Sequence, residues 1–270
     1  MKVMSEDGYR YEHFRTRQLF HDLAFGLSAL RAGQTFPDFD LETTDGERVR
    51  SKDFIHEGPL LLITASITCP NTEASMAGVK RLHGQFGDDI PFVMVDLREA
   101  HPGMNYPQPA SFDEKIRHAR DLKSLYALPW AVAVDDIDGS LDRQLDGKPN
   151  AAWIIDGEGQ VIFRSHWAAD ERGLRRALEA VQRREAPPRR KSSAMVLPVG
   201  RAMGSLNDVL SRAGQPAGRD MWRAGFPIAV AGKLAPLFRP LSPGNRGIAS
   251  VVTLALVGVA ITAAVILAVS

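Results

Sequence analysis

Cysteine occurs once in the 270-residue chain, at position 69, and its neighbours suit a nucleophilic thiol. The run Pro59-Leu60-Leu61-Leu62-Ile63-Thr64-Ala65 reads as a buried strand, Ser66 and Thr68 put hydroxyls next to the sulfur, and Pro70 suits the first turn of a helix. A thiol at such a junction meets unpaired backbone N–H groups and the positive end of a helix dipole. Both favour thiolate, so the expected pKa lies well below the ~8.5 of a free thiol. The bland alternative is an inert buried cysteine, which behaves as a small hydrophobe. The two hydroxyls favour the reactive reading.

Thiolate attack on an O–O, S–S or carbon–halogen bond needs a proton carrier and a route back to the reduced state. His101 and His118 titrate in the useful range, and Glu99 can fix a histidine tautomer. Glu99 and His101 would face the same way if a strand persisted through Ala100. With one cysteine there is neither an internal disulfide nor a C-x-x-C pair, so oxidation would leave a sulfenic acid or mixed adduct that an external thiol must reduce. The seven histidines show no metal-ligand spacing, and neither a metal nor a bound cofactor is expected.

The elements that must position these residues follow from periodicity. Phe14 to Ala32 spaces apolar residues as an amphipathic helix. Phe36 to Phe54, with a turn at Thr44-Asp45-Gly46, reads as an edge hairpin. Asn71 to Phe86 is the helix after the thiol, Ile90 to Leu97 a second buried strand, Asp113 to Leu128 a helix and Ala131 to Val134 a strand. Residues from Asp138 to Asn150 read as a loop. Ala151 to Ile155 and Gln160 to Ser165 form a hairpin through Asp156-Gly157-Glu158-Gly159, and Glu171 to Arg184 closes the unit as a helix. The organisation is therefore an N-terminal helix (1–32), a central domain (33–185), a basic, proline-rich linker leading to a membrane-surface segment or loose tether (186–246), and an apolar terminal stretch (247–270).

That last stretch, from Gly247 to Ser270, carries no charge and is long enough to cross a ~30 Å hydrocarbon core at ~1.5 Å per residue. The start of the chain has no apolar signal region, and Lys233, Arg239 and Arg246 precede the span, so the expected arrangement is a single C-terminal anchor with the main domain on the cytoplasmic side. A formal charge of +1 excludes a polybasic nucleic-acid binder. The expected partners are the membrane, a small-molecule substrate and an external thiol or thioredoxin-type reductant; the composition is compatible with a homodimer.

The order strand, thiol-bearing helix, strand, helix, strand, proline, antiparallel hairpin and helix resembles the thioredoxin-like fold, an α/β architecture with a central mixed sheet flanked by helices. Gly33-Gln34-Thr35-Phe36-Pro37-Asp38-Phe39 and Lys148-Pro149-Asn150-Ala151-Ala152-Trp153 resemble the peroxiredoxin and redoxin branch. Ser66-Ile67-Thr68-Cys69-Pro70, with Glu99-Ala100-His101-Pro102 and Ile116-Arg117-His118, is similar to the iodothyronine deiodinases, with cysteine in place of selenocysteine. The resemblance implies that Cys69, Ser66, Thr68, Glu99, His101 and His118 act in catalysis. It also implies that Pro70, Pro149 and Asn150 meet the substrate, with Pro149 in the position where thioredoxin-like proteins often carry a cis proline facing the sulfur. Three functions follow: a membrane-tethered thiol oxidoreductase, a reductive dehalogenase of iodinated aromatics, or a non-catalytic, membrane-tethered interaction module.

Overall fold

The computed structural model describes residues 9–24, 29–145, 148–192 and 194–269. Along the chain run α1 (Thr16–Leu23), β1 (Asp40–Thr43), β2 (Arg48–Arg50), β3 (Leu60–Ala65), α2 (Pro70–Phe86), β4 (Phe92–Asp96), α3 (Phe112–Tyr126), β5 (Ala131–Val134) and α4 (Ser140–Leu145). There follow β6 (Ala152–Ile155), β7 (Val161–Ser165), α5 (Glu171–Gln182), β8 (Lys191–Ser192), α6 (Val196–Ala202), α7 (Leu206–Ala213), α8 (Ala217–Ala224), α9 (Phe226–Leu234), a 3-10 helix (Ala235–Phe238) and α10 (Pro243–Val269).

The strands form one sheet in the order β2-β1-β5-β4-β3-β6-β7-β8. β3 lies at its middle, parallel to β4 and antiparallel to β6, and every residue of it is buried, as a strand covered on both faces requires. β4 pairs in parallel with β5, and β6 turns back antiparallel into β7 through Asp156–Gly159. The nucleus β4-β3-β6-β7 with its connecting helices is a thioredoxin-like α/β fold. α10 is long and apolar enough to cross a membrane.

Two cores flank the sheet because alternate residues of β3 point to opposite faces. Leu61 and Ile63 pack with Met76, Val79 and Leu82 of α2, Ile116 and Leu122 of α3, and Leu174 and Leu178 of α5. Leu60 and Leu62 pack on Phe36, Phe39, Leu141, Leu145 and Trp153. Local signals set the helix ends: the Ser111 hydroxyl accepts from the Glu114 N–H to start α3, Ala127 closes it in the left-handed region, and the Asp170 carboxylate accepts from the Gly173 N–H to start α5.

Several sequence expectations need correction. The first helix ends at Leu23 rather than Ala32: residues 29–32 are not helical, Leu30 is buried in the second core, and Leu27 lies outside the described residues. The expected loop after Asp138 contains α4, whose backbone N–H groups at Leu141 and Asp142 donate to the Asp135 carboxylate. Within the basic linker, β8 pairs in parallel with β7. Residues 196–238 are a chain of short helices packed on a third apolar cluster that includes Tyr11, Phe14, Met203, Leu206, Leu210 and Met221. α10 docks its first turns on α6, where Gly247 comes so close that an added Cβ would lie 2.2 Å from the Gly200 carbonyl.

Candidate active site

Cys69 is the residue on which α2 begins, in extended backbone conformation, with Pro70 opening the helix. This is the predicted hand-over from strand to helix. The backbone N–H groups of Asn71 and Thr72 and the Thr72 hydroxyl turn toward the sulfur, which itself donates to the Pro149 carbonyl at 3.4 Å. Pro149 thus stands against the thiol as the resemblance implied, although its peptide bond is trans: the cis bond found among the described residues is Gln215–Pro216.

The thiol is nevertheless not activated in this conformation. Cys69 is 4% exposed, and burial pushes its pKa up to about 11; the helix N–H groups work in the other direction and lose, while the Asp22 carboxylate adds to the rise. The expectation of a depressed pKa is therefore overturned, and the cause is the covering of the site. Phe14, Leu19 and Leu23 from the N-terminal segment and Val199, Met203, Leu206, Met221 and Ile228 from α6–α9 close over the sulfur. They leave a cavity of about 50 Å³ that also touches Pro70, Ala100, His101 and Trp167.

Beneath this apolar cap lies a polar brace. The Ser66 and Thr68 hydroxyls donate to Glu99 Oε2 at 2.9 and 2.6 Å rather than reaching the sulfur, which corrects their expected role. They also accept from the backbone of the next turn, Ser66 Oγ from the Ala100 N–H and Thr68 Oγ1 from the His101 N–H, each at 3.1 Å. Glu99 Oε1 meets His118 Nδ1 at 2.8 Å, which places the ring proton on that nitrogen when the imidazole is neutral. The Glu99 main chain is clamped on both sides by Gln108, whose Nε2 donates to the Glu99 carbonyl and whose Oε1 accepts from the Glu99 N–H.

The strand ends at Asp96, so Glu99 and His101 do not share a face. Glu99 turns inward to the brace, whereas His101 lines the cavity with its ring 4.2 Å from that of Phe14. Burial drives the His101 pKa down to about 4, Asp22 favouring the charged form and Arg98 opposing it. The imidazole is neutral at pH 7, and its Nδ1 has no hydrogen-bond partner. His118 is buried behind Glu99 and does not line the cavity, and its Nε2 likewise has no partner. Asn150 also falls outside the cavity: in the left-handed region at φ 86°, it donates from Nδ2 to Ser75 Oγ of α2.

Residues that local sequence reasoning passes over complete the site. Arg98 is buried, stacks over Tyr11, and donates to the Tyr11 hydroxyl and to Asp22 Oδ1; Tyr11 in turn donates to the Ala100 carbonyl at 2.8 Å. Burial opposes ionisation of Asp22, but Arg98 and His21 outweigh it and hold its carboxyl below the usual range. The cap is tied down at the loop after His101. There Met104 N–H donates to the Gln215 carbonyl and Asn105 N–H to that of Ala213, and a Cβ on Gly103 would sit 2.3 Å from the latter oxygen. Thr72 alone had a local signal, three residues after the cysteine that starts a helix, where a side chain folds back on the first turn.

No protein-family model and no curated protein matches this chain. Among solved structures it is similar to an uncharacterized conserved protein from Geobacillus kaustophilus, at 16% identity over 62% of this chain and 93% of that one, with a TM-score of 0.49. It is also similar to Peroxidoxin BcpB from Mycobacterium tuberculosis, at 16% identity over 57% of this chain and 97% of that one, TM-score 0.43. A third likeness is to a secreted Mycobacterium tuberculosis disulfide oxidoreductase homologous to E. coli DsbE, at 15% identity over 46% and 79% of the two chains, TM-score 0.37.

Proposed function

We propose that this chain is a membrane-anchored thiol oxidoreductase that works through Cys69 alone, in a site closed by a helical cap. The observation that carries the reading is the sulfur at the start of α2, faced by the Asn71 and Thr72 N–H groups and by the Pro149 carbonyl, with His101, whose Nδ1 has no hydrogen-bond partner, among the residues lining the same cavity. Once the cap moves aside, water reaches the sulfur, the burial penalty falls, and the helix N–H groups are left to favour thiolate.

The thiolate then attacks one oxygen of a peroxide or one sulfur of a disulfide. An S–O or S–S bond forms, the O–O or S–S bond breaks, and the leaving hydroxide, alkoxide or thiolate takes up the proton given up by Cys69, with His101 as its carrier. Sulfur loses two electrons and the substrate gains them. After peroxide, the sulfenic acid condenses with an external thiol and releases water; a second thiol frees Cys69 and leaves as a disulfide. Glu99, Ser66, Thr68 and His118 act here as positioning residues that fix the turn carrying His101. A dehalogenase would use the same sulfur on iodinated phenols.

A second reading, a non-catalytic tethered module, is favoured by the sealing of the thiol and its raised pKa. Intact-protein mass spectrometry separates the two. Treatment of the reduced full chain with hydrogen peroxide, or with a small disulfide, is expected to add an oxygen or a mixed-disulfide adduct that thiol removes and that Cys69→Ser abolishes. A chain left unmodified by peroxide, disulfide and iodinated phenol alike would sink the enzymatic reading and leave the tethered module.

A further inference from the structure

The cap has an inner and an outer face of different origin. Its inner side chains, Met203, Leu206, Met221 and Ile228, close the Cys69 cavity. Its outer side carries Trp222 and Phe226, whose rings lie 5.4 Å apart, and Leu237 and Leu241, all exposed, Phe226 by 62% and Leu237 by 74%. Four large apolar side chains on one short stretch of a globular surface call for a covering.

The neighbouring element says what covers them. α9 and the 3-10 helix pack against α10, whose apolar window is entirely unburied by the rest of the chain. Lys233, Arg239 and Arg246 are interspersed among these residues, just before the span. Aromatic and aliphatic side chains beside basic ones, at the mouth of an apolar helix, form the composition of a bilayer interface, where ring edges and long cationic stems reach the headgroups.

We propose that the outer face of α8, α9, the 3-10 helix and the turn that follows it, marked by Trp222, Phe226, Leu237 and Leu241, lies in the headgroup–acyl boundary of the membrane that α10 enters. This rests on α10 being the anchor, as in the function proposed above. The element that shuts the thiol cavity is then itself seated on lipid, with its two faces assigned to two different neighbours.

Tryptophan fluorescence tests this, because Trp130, Trp153 and Trp167 are buried and Trp222 is the one a lipid can reach. The full chain is reconstituted in vesicles of phosphatidylcholine and phosphatidylglycerol with brominated acyl chains. The expected result is a quenched component that disappears in Trp222→Phe and is at least halved in the double variant Phe226→Glu, Leu237→Glu, while every variant still resists alkaline extraction. A chain that resists extraction but shows no Trp222-dependent quenching overturns the docking and spares the anchor. Quenching unchanged by the two glutamates, or Trp222 shielded by cross-linking to a second copy, overturns it as well. Loss of the wild-type chain on alkaline extraction overturns the anchor, and the docking with it.

Discussion

The two sides of Cys69 are built by opposite means. On one side Ser66, Thr68, Glu99, His118 and Gln108 form a continuous set of hydrogen bonds between the turn after β3, the turn after β4, and α3. On the other, Phe14, Leu19, Met203, Leu206 and Met221 line the cavity with apolar side chains. A buried hydrogen-bonded set is directional and costly to break, so it fixes where His101 and the sulfur stand. An apolar cover is non-directional; it determines how much water the sulfur sees and hence its protonation. The polar side sets geometry and the apolar side sets reactivity.

The strongest way to break that contrast is to remove its polar half. Glu99→Ala leaves two hydroxyls and an imidazole buried without their acceptor, and urea unfolding should register a loss of about 3–5 kcal/mol. A loss below about 1 kcal/mol would show that the brace is not what holds the turn. Removing a piece of the apolar half should act locally instead. Met221→Ala is expected to cost the cap about 2–4 kcal/mol. Iodoacetamide labelling of Cys69 should accelerate by roughly 30- to 700-fold, since the thiol is reached through local opening and each ~1.4 kcal/mol is a factor of ten in the open population. Equal labelling rates in variant and wild type would mean that the cap is not the barrier.

pH sharpens the comparison next. His101 is buried and neutral with its pKa pushed down to about 4, so between pH 6.5 and 4 the unfolded chain binds a proton that the folded chain refuses, and stability falls as pH falls. His166, also pushed down to about 4 by burial, adds in the same sense, whereas Asp142, pushed up to about 7 by burial, opposes it. His101→Gln should therefore flatten the acid limb of a pH–stability curve by about 1–3 kcal/mol without altering its neutral plateau. An unchanged limb would place the imidazole in water. Smallest of all, Arg212→Met removes the contacts from α7 to Glu73 and Tyr126, a partly exposed ion pair whose loss should cost about 1 kcal/mol and speed labelling only about fivefold.

The legibility of the two halves differs for a physical reason. The thiol's place at a helix start is readable because it follows from short-range pattern, and the brace only in part: Glu99 is expected to fix a histidine, but the turn of Ser66 and Thr68 from the sulfur to Glu99 and the clamp of Gln108 carry no local signal. A six-residue apolar run must be a central strand, a proline must open the helix, and Glu-Ala-His must fall just past the next strand. Even there the chain left the strand at Asp96, so a period-two extrapolation misdirected His101. The cap was not readable. Pro198, Gly204, Gly214, Pro216, Gly225 and Pro227 chop residues 196–234 into helices too short for a clear 3.6-residue period, and their partners, Phe14, Leu19 and Cys69, lie far away in sequence. The cover also accounts for the thiol's raised pKa against the lowered one expected from sequence, since dipole and N–H groups are local and burial is not.

The pairing of β8 along β7 carries a last consequence. It occupies the rim of the sheet, shielding an edge that would otherwise invite another chain. It also fastens the polypeptide only three residues, 193–195, before α6 begins. The four steps from Ser192 to Val196 span at most about 14 Å, so while β8 stays paired an uncovering of the sulfur is a pivot about that short tether rather than a wholesale departure of the helices.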